Sequence, residues 1–217
     1  MRSTGLVRSR RFLLGFRLSA ALVALLPLAW LVWRMAAGLL GPDPGQELTQ
    51  ALGLAALQLL IATLCMTPMQ RWTGWVGWVR IRRMLGLCAF FYACLHVLSF
   101  LQFMVGWQDL WATFTTRPYI IAGSVAFLVL IPLSLTSTRG MMRRLGPNWK
   151  RLHRLAYLSV VAAWVHFVWQ ARSDIGEMLV YGLLIAVLLW FRWRWNGWRG
   201  LLPLTASNSR ANSDRVG

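Results

Sequence analysis

Negative charge is nearly missing from this chain: six Asp and Glu stand against 23 Lys and Arg. Charge of either sign is scarce, at 13% of 217 residues, while 58% are hydrophobic. That balance excludes an ordinary soluble domain. The surplus of +17 does not point to nucleic acid, because nucleic-acid binders gather Lys and Arg on a polar patch or stripe. Here the basic residues punctuate long apolar runs, which is how a membrane protein fixes its topology. Cysteine is limited to Cys65, Cys88 and Cys94. An odd number, all inside apolar runs, builds no disulfide framework and reads as small hydrophobic packing. Also lacking are internal repeats, long linkers, a GxGxxG or Walker sequence, a nucleophile constellation and a pair of acids placed for catalysis. Those absences argue against a built-in nucleotide domain and against substrate chemistry of the chain's own.

What is present is a set of six apolar stretches, each near the roughly 20 residues that a helix needs to cross a bilayer. They run Phe12–Trp33, Thr49–Pro68, Met84–Val105, Tyr119–Thr136, Leu152–Gln170 and Gly176–Trp193. The expected fold is all-α, a polytopic membrane helical bundle of about six transmembrane helices. Residues 1–11 form an N-terminal tail, 12–195 the transmembrane domain and 196–217 a polar C-terminal tail. The start Arg8-Ser9-Arg10-Arg11 resembles a signal n-region, but the apolar run behind it is too long for a signal peptide, so a retained helix is expected. Nineteen Lys and Arg fall on one side: the N-terminal tail, the second and fourth links, and the C-terminal segment. Arg34, Arg117 and Arg172 alone mark the other side, where five of the six acids lie. By the positive-inside rule both termini are expected in the cytoplasm. Tryptophans crowd the span ends, where an indole meets headgroups; Trp164 is the exception, deep in a span.

The chain has three histidines, His96, His153 and His166, each in or at the edge of a span. An ionisable side chain in lipid is costly unless paired or ligated, so each is a functional candidate. The plainer alternative is a helix–helix hydrogen bond. Depth singles out a pair. His96 lies thirteen residues beyond Arg83 and His166 fifteen beyond Arg151. At 1.5 Å per residue both reach roughly 20 Å from the inner surface. Two helices of the same direction thus offer imidazoles at one height, as bis-histidine ligation of a haem requires; an iron so filled carries electrons rather than oxygen. Ala162 and Ala163 before His166, and Ser99 after His96, leave room for a flat macrocycle. His153 sits at the inner end of the fifth span. An ideal helix turns it roughly 220° away from His166, and no histidine of the third span stands at its depth. It is expected to ligate a second haem or to bond a headgroup, a loop carbonyl or another cofactor.

The link Ser137–Arg151 is the richest in arginine and carries Gly140, Gly146 and Pro147. Positive-inside topology accounts for those arginines; a flavin phosphate or an acidic partner is the alternative. Two runs carry a family resemblance. One is Arg82-Arg83-Met84-Leu85-Gly86-Leu87 with Tyr92-Ala93-Cys94-Leu95-His96. The other is Leu145-Gly146-Pro147-Asn148-Trp149-Lys150-Arg151-Leu152-His153-Arg154-Leu155-Ala156-Tyr157, ending in His166-Phe167-Val168-Trp169. Together they resemble the MsrQ (YedZ) family, within the ferric-reductase-like transmembrane superfamily. The resemblance implies a haem-binding inner-membrane subunit, multi-pass, that takes electrons from the quinone pool or a cytoplasmic flavin reductase. It would pass them to MsrP, a periplasmic molybdopterin enzyme that reduces methionine sulfoxide. It implies one or two b-type haems and FMN, with His96, His153 and His166 as the matching haem histidines. The third span here carries one histidine where the wider superfamily has two.

Two other functions are weighed against an electron conduit. A stand-alone ferric or superoxide-type reductase usually carries a fused cytoplasmic flavin and nicotinamide domain, and about two dozen residues follow the last span here. Such a chain is expected to borrow its donor and its acceptor. A non-redox transporter or scaffold is expected to show repeats, broken helices and midplane acids, which this sequence does not.

Overall fold

A computed structural model describes residues 10–106, 113, 115–170 and 175–196. Most of the two expected tails, together with Trp107, Asp109, Trp111, Arg172 and Asp174, all expected on the side opposite the termini, lie outside the described residues. Within them every regular element is helical. α1 is Arg10–Ala36, α2 Pro44–Thr73, α3 Gly77–Ser99, continued by a π-helical segment Phe100–Val105. Then follow α4 Pro118–Leu135, α5 Arg139–Leu145, α6 Pro147–Leu152, α7 Leu155–Gln170 and α8 Ile175–Asn196. Six stretches are long and apolar enough to cross a membrane, and each coincides with an expected span. The chain is a multi-pass membrane protein. Leu18, Leu22 and Leu26 of α1 face outward, as hydrocarbon allows and water would not.

Three boundaries differ from the sequence reading. α2 does not stop at Pro68 but runs through it to Thr73. A proline inside a membrane helix is tolerated because neighbouring groups re-satisfy the backbone it frees. α3 begins at Gly77, so Arg80, Arg82 and Arg83 ride on its first two turns rather than in a link. The link itself is Gly74–Val76; Gly74 sits at φ +67 and closes α2 by donating its N–H to the Gln70 carbonyl. Lastly, the helix of the fifth span, α7, begins at Leu155 rather than Leu152. Gly146, at φ +50, separates α5 from α6, and a turn at His153–Arg154 separates α6 from α7.

The described residues fall into two compact units, one ending at Ile121 and the other starting at Ala122. In the first, α2 and α3 pair antiparallel: Gly45 meets Phe103, Gly53 meets His96 and Thr67 meets Arg82. The facing positions 45, 49 and 53 are Gly, Thr and Gly, a small-xxx-small stripe that lets two backbones approach. Leu52, Ala55, Ala56 and Tyr92 close the core with Leu31 of α1. α1 contains Pro27, which has no N–H to give the Val23 carbonyl. One residue on, the Tyr92 hydroxyl enters the helix ladder. It accepts from the Leu28 N–H at 3.0 Å and donates to the Ala24 carbonyl at 2.9 Å. Those two groups would otherwise bond each other along the helix. Tyr92 is fully buried.

In the second unit α4 and α7 also run antiparallel, Gly123 against His166 and Ala126 against Ser159. The buried Ser159 hydroxyl donates to the Ala126 carbonyl at 3.0 Å, a polar tie of the kind that joins helices in lipid.

Candidate functional site

His96 lies in the last turn of α3, with its ring on α2. Its Nδ1 is 2.8 Å from the Thr49 carbonyl oxygen. A carbonyl only accepts, so this bond puts the ring proton on Nδ1 and leaves Nε2, in the neutral ring, as the lone-pair nitrogen. Thr49 is itself held. Its hydroxyl donates to the Gly45 carbonyl at 2.8 Å and lies 2.6 Å from the Ser99 hydroxyl, one turn beyond His96. The ring's Nδ1–Cε1 edge rests on Gly53, where an added Cβ would stand 2.8 Å from Nδ1 and 2.9 Å from Cε1. One helix therefore supplies a carbonyl to orient the imidazole and a gap to seat it.

His166 is in α7, eleven residues beyond Leu155, a rise of about 16 Å. Its ring repeats the seating on α4: a Cβ at Gly123 would stand 2.8 Å from Nδ1, 3.0 Å from Cε1 and 3.1 Å from Cγ. Trp164, the tryptophan deep in a span, points elsewhere. Its Nε1–H donates to the Met178 carbonyl at 3.0 Å, and its ring fills the space over Gly182 of α8.

His153 follows α6 and lies outside α7. The 220° turn between it and His166 assumed one unbroken helix, and the turn at His153–Arg154 removes that assumption. Nδ1 of His153 donates to the Trp149 carbonyl at 3.1 Å, and its ring stacks on Trp149 with centroids 3.9 Å apart. Its Nε2 is 3.4 Å from the Ser137 hydroxyl, which donates to the Leu133 carbonyl. Trp149 is anchored by its Nε1–H to the Thr136 carbonyl at 3.0 Å. His153 is thus built against the C-terminal end of α4, its ring bonded to the Trp149 carbonyl and stacked on the Trp149 indole, with Nε2 beside the Ser137 hydroxyl.

Among the described residues no group of three or more His, Cys, Asp or Glu converges. A neutral imidazole has one lone-pair nitrogen, so a single histidine offers at most one donor. Sequence reasoning found the three histidines and Ser99 but not Thr49, Gly53 or Gly123. A signal for the glycines existed: glycine inside a helix costs about 1 kcal/mol relative to alanine and asks for a reason.

The family model described as "Ferric reductase like transmembrane component" matches residues 52–164. That stretch holds Gly53, His96, Gly123 and His153 and ends two residues before His166. The protein-methionine-sulfoxide reductase heme-binding subunit MsrQ of Xanthomonas oryzae pv. oryzae is 42% identical over 184 residues, 84% of this chain and 81% of that protein. With matches of that extent, laid over helices that carry its histidines at glycine-lined contacts, the chain belongs to the MsrQ family of ferric-reductase-like transmembrane proteins.

Proposed function

We propose that this chain is a transmembrane electron-transfer subunit holding b-type haem through His96 and His166. It delivers electrons to a periplasmic molybdopterin methionine sulfoxide reductase, MsrP. The observation that carries the reading is the 2.8 Å bond from Nδ1 of His96 to the Thr49 carbonyl. Such a bond fixes the tautomer whose Nε2 binds iron and makes that nitrogen more basic. The similar spacing of His96 and His166 in the sequence from the basic ends of their spans, and a relative named as a heme-binding subunit of a methionine sulfoxide reductase, support the rest. Haem, when bound, would supply one-electron chemistry; His96 and His166 would hold it, and the Thr49 carbonyl would orient the His96 ring.

His153 is the third candidate ligand, for a second haem near the inner surface, and the least committed because its Nε2 faces Ser137. The quinone pool or a cytoplasmic flavin reductase supplies electrons. FMN, if carried, sits toward the arginine-rich inner side. Both termini are cytoplasmic and the membrane is the bacterial inner membrane. The test is spectroscopic. Pyridine haemochrome on the purified protein should show haem b, and His96→Ala and His166→Ala should each abolish the same low-spin signal. Retention of that signal in both variants contradicts the ligand assignment.

The family description favours one second reading, a ferric-type reductase membrane domain. Rapid oxidation of the reduced protein by a ferric chelate, with no oxidation by the molybdoenzyme, would favour it.

A further inference from the structure

Two glycines occupy equivalent places in the two units. Gly53 lies under the Nδ1–Cε1 edge of His96, and Gly123 under the Nδ1 corner of His166, with Cε1 and Cγ about equally near. In each case the helix facing the histidine has no side chain at the contact, and a Cβ would stand closer than real Cβ contacts allow. At the first site the ring cannot simply retreat, because Nδ1 is bonded to the Thr49 carbonyl. Thr49 is in turn tied to Gly45 and Ser99. An added methyl group must therefore rotate the imidazole or lengthen that bond.

We infer that Gly53 and Gly123 are positioning residues that set the ring planes of His96 and His166 and so tune the iron these histidines hold. The inference rests on the haem reading above. Glycines also seat rings that are not candidate ligands, Phe103 over Gly45 and Trp164 over Gly182. What sets Gly53 and Gly123 apart is that the seated ring is a candidate ligand, and at Gly53 that ring is also bonded through Nδ1 to the Thr49 carbonyl, the bond that controls ligand basicity. Weakening the bond from Nδ1 of His96 to its carbonyl makes Nε2 a poorer donor. That destabilises the oxidised iron, so the reduction potential rises.

The experiment uses the full-length holoprotein in detergent, with Gly53→Ala, Gly123→Ala and, as a control, Gly86→Ala. Gly86 is on α3, and its nearest neighbour for a Cβ is Thr63 at 3.9 Å, ordinary contact. The readouts are haem content, the g values of the low-spin electron paramagnetic resonance signal and the potential from redox titration. Gly53→Ala should keep haem, move the g values and raise the potential; Gly123→Ala should move the g values; Gly86→Ala should match the parent. If Gly53→Ala fails to accumulate, Ser99→Ala carries the test. It loosens Thr49 without crowding the ring and should raise the potential by a smaller step; an unchanged potential in Ser99→Ala then overturns the inference. Wild-type g values and potential in both glycine variants also overturn it, and leave the haem reading standing provided His96→Ala and His166→Ala still lose the signal. A low-spin signal that survives both histidine variants removes the haem reading itself, whatever the glycines do.

Discussion

Removing one oxygen from Tyr92 should loosen α1 from the rest of its unit. The Tyr92 hydroxyl serves two backbone groups at once, the Leu28 N–H at 3.0 Å and the Ala24 carbonyl at 2.9 Å. In Tyr92→Phe both lose their partner in a fully buried place. A buried polar group left unmade costs about 1–3 kcal/mol in general. Hydrogen bonds between membrane helices have averaged about 0.6 kcal/mol and reached about 1.7 kcal/mol. Two such bonds place the loss at about 1–3 kcal/mol. The helix has one escape, to bond Leu28 directly to Ala24, but the Pro27 ring crowds the turn where this must happen. The assay is unfolding of the purified protein by SDS titration in mixed micelles, followed by circular dichroism, for the parent, Tyr92→Phe, Pro27→Ala and the double variant. With Pro27→Ala the turn is free to close, so Tyr92→Phe should cost less in that background, with a coupling of about 1 kcal/mol. A loss below about 0.3 kcal/mol for Tyr92→Phe, or strict additivity with Pro27→Ala, refutes the reasoning.

Two more outcomes follow from the same geometry and from the charge pattern. His153→Ala should leave the low-spin signal of the His96 and His166 site largely intact while changing Trp149 fluorescence, because the two rings stack at 3.9 Å; bleaching by His153→Ala, with His96→Ala unaffected, reverses the ligand assignment. Reporter fusions after Trp198 should be active only as cytoplasmic reporters, and alkaline phosphatase activity there would break the six-span topology.

The spans were legible because hydrocarbon imposes a long, unbroken apolar run on any helix that crosses it. Their ends were less so. Arg80, Arg82 and Arg83 read as a link, yet a helix carries arginine on its terminal turns as readily as a loop does, since the long stem reaches the interface. The second span was drawn by its apolar extent to Pro68, and the helix runs on through that proline to Thr73, as lipid tolerates. His153 was placed on a continuous helix that in fact breaks beside it; Gly146 and Pro147 signalled a break in that region but not its position. The histidines stood out because imidazole is expensive in lipid. Thr49 did not, because its contribution is a backbone carbonyl that every residue has. Which carbonyl meets Nδ1 depends on the register of α2 on α3, and no single-helix pattern encodes that.

The central claim is that electrons pass through this chain to a separate reductase. Stopped-flow reoxidation of the dithionite-reduced haem tests it most directly, with methionine sulfoxide present and the periplasmic molybdoenzyme either included or omitted. Rapid reoxidation is expected only when the molybdoenzyme is present, slowing as salt screens the exposed charges of a weak redox encounter. Rapid reoxidation by methionine sulfoxide alone would make this chain the reductase and contradict the account.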